Sequence, residues 1–428
     1  MFHEFLLAEQ KAEKVILLSF QWGSGDIAAA RAEASLAELV RLAESADLEI
    51  IGESIQQREI IDPAYYAGKG KLIELGQMAK ELGADCLVLD AELSGSQMSA
   101  IQKLIELKVI DRSILILDIF AARAKTKEGK IQVEIAQLED LNARLRGSVE
   151  WLSRLGGGIG TRGPGETQLE TDRRHIQRRL TKLKSQLKGI AKQRENVRKR
   201  RQQNEVVTVA VVGYTNAGKS SLINALCDSE LYACDRLFAS LDPLYRKLEV
   251  EGHEIVLMDT VGFVRELPPR LAEAFTATLD EIRTADIILQ VTDISDPDRE
   301  AQIAVVEEQL LKLGCNLKPR IHVMNKLDNN PEAIHERHFF RQSDYLKEIK
   351  ISVKTGEGLS ELRETLVELA DMRLLPLNLQ LPYGSEKILE TIRRYGRIEE
   401  LSYTEAGYQL RCKLPASQMS VLEAISNS

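Results

Sequence analysis

The sequence predicts an α/β multidomain protein. It should have an N-terminal α/β domain with a helical hairpin, a phosphate-loop domain on a doubly wound sheet, and a small C-terminal α+β domain. Three observations carry that prediction. Short apolar, β-branched runs alternate with amphipathic helical patterns across residues 15–117 and recur beyond residue 205, as parallel sheets require. Two heptad seams lie between those regions. A glycine-rich turn, Gly213-Tyr-Thr-Asn-Ala-Gly-Lys-Ser220, joins a strand pattern (206–212) to a helical one at Leu222, Ile223 and Leu226. The expected boundaries are 1–127, 128–204, 205–372 and 373–428.

Within the first domain, strands are expected at Val15–Leu18, Leu48–Ile51, Cys86–Leu89 and Ile114–Leu117, with helices at Ile27–Ala43, Lys71–Leu82 and Gln97–Leu107. No phosphate loop lies among them. Tyr65-Tyr-Ala-Gly-Lys-Gly70 suits either contact with a polynucleotide or a loop packed on its own domain. Next, Ile131, Ile135, Leu138, Asn142, Leu145, Val149 and Leu152 alternate spacings of four and three, as do Ile176, Leu180, Leu183, Leu187 and Ile190, with Val197 seven residues on. Such seams pair most economically as an antiparallel helical hairpin, its tip at Ser153–Thr167. The tip contains a formal G-x-G-x-x-G (Gly158, Gly160, Gly163), but it follows a helical pattern rather than a strand, which rejects a dinucleotide site.

Four motifs then define a P-loop GTPase domain. In the first, Gly213, Tyr214, Thr215, Asn216, Ala217, Gly218, Lys219, Ser220 and Ser221 should wrap phosphates with backbone N–H groups and a helix N-terminus. Lys219 should reach the β- and γ-phosphates, and the Ser220 hydroxyl should ligate Mg²⁺. In the second, Asp259, Thr260, Val261 and Gly262 follow an apolar strand; the acid can hold Mg²⁺ through water and the Gly262 N–H can bind the γ-phosphate. Asn325, Lys326, Leu327 and Asp328 end another strand, where a carboxylate can accept from two guanine N–H groups that adenine lacks. Ser352, Val353 and Lys354 can approach the base O6. Lying at strand C-termini, all four suit a doubly wound sheet. The last 55 residues read as strand, helix, two strands and a helix at Gln418–Ile425.

Composition limits the alternatives. No apolar run approaches the ~18 residues of a membrane span, and Met1-Phe-His-Glu-Phe-Leu-Leu lacks the basic start of a signal peptide. Five scattered cysteines without C-x-x-C spacing argue against disulfides and zinc, so a cytoplasmic protein is expected, and a monomer. The net charge of −8 conceals an asymmetry: residues 173–201 hold thirteen Lys/Arg against one acid, Glu195. That stretch carries +12 and the remainder −20, which points to a polyanion such as RNA; a solvated helix face is the plainer alternative.

Several stretches resemble the HflX family of ribosome-associated GTPases: Tyr66-Ala-Gly-Lys-Gly-Lys71, Asp118 to Gly129, the glycine-rich run from Gly157 to Asp172, and Asp259-Thr-Val-Gly-Phe263. The resemblance covers nearly the whole chain and is most specific in the glycine-rich run. It implies binding to the large ribosomal subunit and its RNA, and rescue or splitting of stalled ribosomes; a ribosome-biogenesis GTPase that acts as an RNA-binding assembly scaffold is the alternative. It also implies a nucleotide-responsive segment at Phe238, Ala239, Ser240, Leu241 and Asp242. Ser240 stands where the family usually has Thr, which keeps a hydroxyl for Mg²⁺, and Leu244 stands where Thr is common. Phe263 replaces the glutamine that orients water in many GTPases, so slow hydrolysis is expected, with Lys219, Gly262 and Asn216 as the catalytic set. Asn216 resembles the asparagine of potassium-activated GTPases, implying K⁺; a loop-capping asparagine is the other reading.

Overall fold

The computed structural model describes residues 12–155, 164–203, 206–227, 244–250, 253–264, 276–332 and 345–415. Their contacts gather into two units. One holds the described residues up to 190 with 261–264 and 276–279; the other holds the described residues among 191–233 and 243–260 and those from 280 onward. Among the described residues no helix is long and apolar enough to cross a membrane.

The first unit is built on four parallel strands, β1 (Lys14–Trp22), β2 (Glu49–Arg58), β3 (Cys86–Leu89) and β4 (Lys108–Asp111), in the order β2-β1-β3-β4. Helices α1 (Asp26–Ser45), α2 (Lys69–Leu82), α3 (Gly95–Ile105) and α4 (Arg112–Arg123) cover it. Alternation along β1 sends Val15 and Leu17 to a core with α1 and α4, and Ile16 and Leu18 to one with α2 and α3. Both faces are apolar because both are covered. The residues expected as a fourth strand, Ile114–Leu117, lie instead in α4, and β4 is just upstream. Asp111 explains the difference: its carboxylate accepts from the Ile114 N–H at 2.9 Å and so starts a helix. A short apolar run cannot by itself separate strand from helix.

Helices α5 (Lys127–Leu155) and α6 (Pro164–Gln203) form the expected pair. Ile131, Ile135, Leu138 and Leu145 meet Ile176, Leu180, Leu183, Leu187 and Ile190. The seam stops there, with Val197 48% exposed. The reverse face of α5 buries Val133 and Ala136 with α4, so the hairpin is anchored to the sheet. The tip is shorter than Ser153–Thr167 at both ends, with Pro164 at a first helical position, where its missing N–H costs nothing. Residues 156–163 lie outside the described residues.

The second unit carries a six-stranded sheet ordered β10-β9-β8-β5-β7-β6. These are β5 (Val207–Gly213), β6 (Leu244–Val250), β7 (His253–Asp259), β8 (Ile287–Asp293), β9 (Arg320–Asn325) and β10 (Lys347–Lys350), with only β6 antiparallel. Helices α7 (Lys219–Cys227), α9 (Arg299–Lys312) and α10 (Leu359–Asp371) accompany it, while α8 (Thr276–Thr284) joins the two units along the chain. Val209, Val211, Leu257, Leu289 and Val323 form its core with α7 and α10. Strand order reverses beside β5, which places a ligand crevice at the C-terminal end of that strand. A last antiparallel sheet, β11 (Leu374–Leu381), β13 (Gly407–Pro415) and β12 (Arg397–Thr404), packs on α11 (Glu386–Tyr395). The expected helix at Gln418–Ile425 lies outside the described residues.

Candidate nucleotide site

The loop between β5 and α7 sits at that reversal. Gly213 closes β5 so near β8 that a Cβ would lie 2.2 Å from the Val291 carbonyl oxygen. Gly218 adopts φ 93°, and a Cβ there would lie 2.2 Å from Asn325 Nδ2. Both positions admit only glycine. Lys219 is buried, its ammonium donating to the Tyr214 carbonyl at 2.7 Å and the Gly213 carbonyl at 3.2 Å. Burial pushes its pKa down to about 8, against the opposing charge of Asp259. Such a lysine gains most from an arriving anion.

Two side chains in the loop are unpaired among the described residues. The buried Thr215 hydroxyl has no hydrogen-bond partner. Half-buried Asn216 stands at φ 62°, a left-handed conformation that asparagine tolerates well, and makes no side-chain hydrogen bond among the described residues. Tyr214 and Ala217 are buried, and Ser221 follows in the first turn of α7.

At the phosphate end Ser220 Oγ donates to Asp259 Oδ2 at 2.7 Å, and Asp259, at the end of β7, is fully buried. A hydroxyl and a carboxylate beside a phosphate cradle are the hard oxygen donors that Mg²⁺ selects, so these residues fit that ion. Thr260 Oγ1 donates to the Val211 carbonyl at 2.7 Å, tying β7 to β5. Val261 and Gly262 continue the chain into the first unit, Gly262 buried. Phe238 through Asp242, including the second expected Mg²⁺ ligand Ser240, lie outside the described residues.

The base-recognition end is organised by Asn325, at the end of β9. Its Nδ2 donates to the Ala217 carbonyl at 3.0 Å, and its Oδ1 accepts from the Val353 N–H at 3.2 Å. One side chain therefore links the phosphate loop to the loop after β10. Asp328 Oδ1 accepts from Ser352 Oγ at 2.7 Å, and Lys354 Nζ lies 3.7 Å from Oδ2. The Ser352 hydroxyl, with the Lys354 charge behind it, holds the Asp328 carboxyl below the usual carboxylate range, so it stays an acceptor. Leu327 is buried with its N–H on the Ile351 carbonyl at 3.1 Å. Lys326 pairs with Asp293 at 2.8 Å. Asp293, at the end of β8, was not expected here; only the strand termini meeting in three dimensions reveal it.

This sheet, cradle and acid-bearing base loop define a P-loop GTPase. Family profiles agree along the chain: "GTP-binding GTPase N-terminal" matches residues 33–121, "GTP-binding GTPase Middle Region" 123–201, and "50S ribosome-binding GTPase" 208–326. GTPase HflX of Lacrimispora saccharolytica is 43% identical over 420 residues, covering 98% of this chain and 97% of that one. GTPase HflX of Escherichia coli is 40% identical over 382 residues, 89% of each. The SsGBP–GDP complex shares the fold, with a TM-score of 0.50 and 23% identity over 85% of this chain and 99% of that one. The chain belongs to the HflX family of GTPases.

Proposed function

We propose that the protein is a Mg²⁺-dependent, cytoplasmic GTPase that binds the large ribosomal subunit through ribosomal RNA and acts on stalled or stressed ribosomes, splitting or rescuing them. The observation that carries the nucleotide half is the Asn325 side chain, which joins the phosphate loop to the loop beside Asp328. The ribosomal half is supported by family membership and by the "50S ribosome-binding GTPase" profile.

In this reading the loop from Gly213 to Ser221 holds the phosphates and Lys219 neutralises the β- and γ-oxygens. Asp328, with the Ser352–Lys354 backbone, selects guanine. Ser220 and Ser240, with Asp259 through water, would hold Mg²⁺, which would supply electrostatic stabilisation of the transferring phosphoryl group. The Gly262 N–H donates to the γ-phosphate. Phe263 is buried and apolar and offers water no hydrogen bond, so hydrolysis by the isolated protein is slow, on the order of 10⁻⁴ to 10⁻² s⁻¹. Asn216 would hold a K⁺ ion, which would supply positive charge to the phosphate oxygens.

RNA is met by α6. Arg178, Lys182 and Lys188 are exposed on it, whereas Arg179 and Lys184 pair with Glu134 and Glu139 of α5, both at 2.6 Å. The charges without an acidic partner, rather than all thirteen, then set the salt dependence of binding. Val261 and Gly262 lead from Asp259 and Thr260 to Phe263 and Val264, and Val264 is buried in the α4–α5 core. The test mixes the protein and a non-hydrolysable GTP analogue with intact ribosomes on a sucrose gradient. Separated subunits with the protein on the large one support the reading; ribosomes left intact and free of the protein would mark an assembly factor instead.

A further inference from the structure

A cavity of about 380 Å³ opens at the foot of the hairpin, where the start of α5 faces the middle of α6. Lys125, Lys127, Lys130 and Arg179 line it with one acid, Glu134, and Gln186, over apolar residues of the seam. Arg179 donates to both Glu134 oxygens, at 2.6 and 2.9 Å, so that acid is already neutralised and the lining carries a net +3. Lys127 and Lys130 are exposed and have no ion-pair partner among the described residues. The cavity also lies at the N-terminus of a 29-residue helix, whose partial positive charge adds to the lysines. Converging like charges are unfavourable until an anion arrives. No aromatic side chain lines the space, so there is nothing for a nucleobase to stack on.

We propose that this cavity binds consecutive phosphates of a polyanion. Of its lining only Arg179, Leu183 and Gln186 belong to the basic stretch 173–201, because three of its cations come from the α4–α5 junction. The RNA backbone is the source that fits the ribosomal reading, on which that choice rests; a soluble oligophosphate offers the same chemistry. Lysines bind phosphate as point charges, so the site takes phosphate runs without reading sequence.

The experiment uses the full chain saturated with Mg²⁺–GDP, so that the phosphate loop is filled. Tripolyphosphate binding is measured by calorimetry, and binding of a single-stranded RNA oligomer by fluorescence anisotropy across a salt series. Wild type is compared with Lys127→Gln/Lys130→Gln and with the charge-keeping Lys127→Arg/Lys130→Arg. The glutamine pair should lose at least tenfold in tripolyphosphate affinity while the arginine pair retains it. Its RNA salt slope should also become shallower by about 1.4, at roughly 0.7 per lost phosphate contact. Loss of tripolyphosphate binding with an unchanged RNA slope assigns the cavity to a soluble oligophosphate. If wild type binds no RNA at any salt concentration yet the tripolyphosphate loss occurs, the ribosomal reading fails and the cavity stands. A glutamine pair that binds both ligands as wild type does overturns the proposal.

Discussion

Two sheets in this chain, one parallel and one mostly so, solve the same topological problem and reach opposite chemistry. Each reverses strand order beside its first strand, and each follows that strand with a glycine-containing turn and a helix. In the six-stranded sheet the turn ends in Lys219 and Ser220. In the four-stranded sheet it reads Trp22-Gly-Ser-Gly-Asp26, with Gly23 at φ 85° and Gly25 at φ 102°. There Asp26 sits in the first turn of α1, putting a carboxylate where a phosphate would need the helix N-terminus. The crevice is also filled from within. Asp90, following β3, accepts from Ser19, Ser35 and Arg112 at 2.9, 2.6 and 2.7 Å, and Arg112 also binds Glu38. Fold places a crevice; the side chains at the turn decide whether it is a ligand site.

The strongest break of this comparison is Lys219→Ala. It should lower GTP affinity at least about a hundredfold, some 2.7 kcal/mol, read by titration with fluorescent nucleotide, while the unfolding midpoint of the nucleotide-free variant reports that the fold is kept. Asp328→Asn should be next. A site built to pair a ligand's polar groups discriminates steeply, so GTP should weaken by about a hundredfold and xanthosine triphosphate should gain; unchanged GTP affinity would remove Asp328 from base recognition.

The third effect is pH-dependent. In the nucleotide-free protein Lys219 loses its proton near pH 8, whereas the unfolded chain holds it to 10.5, so between those values its contribution makes stability rise with pH. Bound phosphates favour the ammonium, and binding therefore takes up a proton above pH 8. GTP affinity should be flat below pH 8 and fall up to about tenfold per unit above it, as calorimetry in buffers of different ionisation enthalpy will register. The smallest effect sharpens the comparison by its absence. Asp26→Lys in the Lys219→Ala background should restore no triphosphate binding, because Asp90 and Arg112 still fill that crevice; recovered binding would mean that the turn alone makes the site.

How much of this was legible in the sequence follows from the range of the forces involved. The phosphate loop, the acid after β7 and the base motifs are local signals with fixed spacing, and they fall at strand ends as expected. The hairpin seam was legible because a 3.5-residue period needs no tertiary information. Ile114–Leu117 is ambiguous because four apolar residues fit strand and helix alike, and the Asp111 cap is what makes it helical. The Asn325 link, the Lys326–Asp293 pair and the acids of α5 that hold Arg179 and Lys184 were not legible. Each joins residues distant in sequence, and only the folded chain brings them together.

The most direct measurement is the rate of GTP hydrolysis by the full chain in potassium buffer, with and without saturating large ribosomal subunits. With Phe263 unable to orient water, the isolated protein should turn over slowly, and subunits should raise the rate at least about tenfold, with no rise for Lys219→Ala. A wild-type rate that saturating subunits leave unchanged would contradict the account.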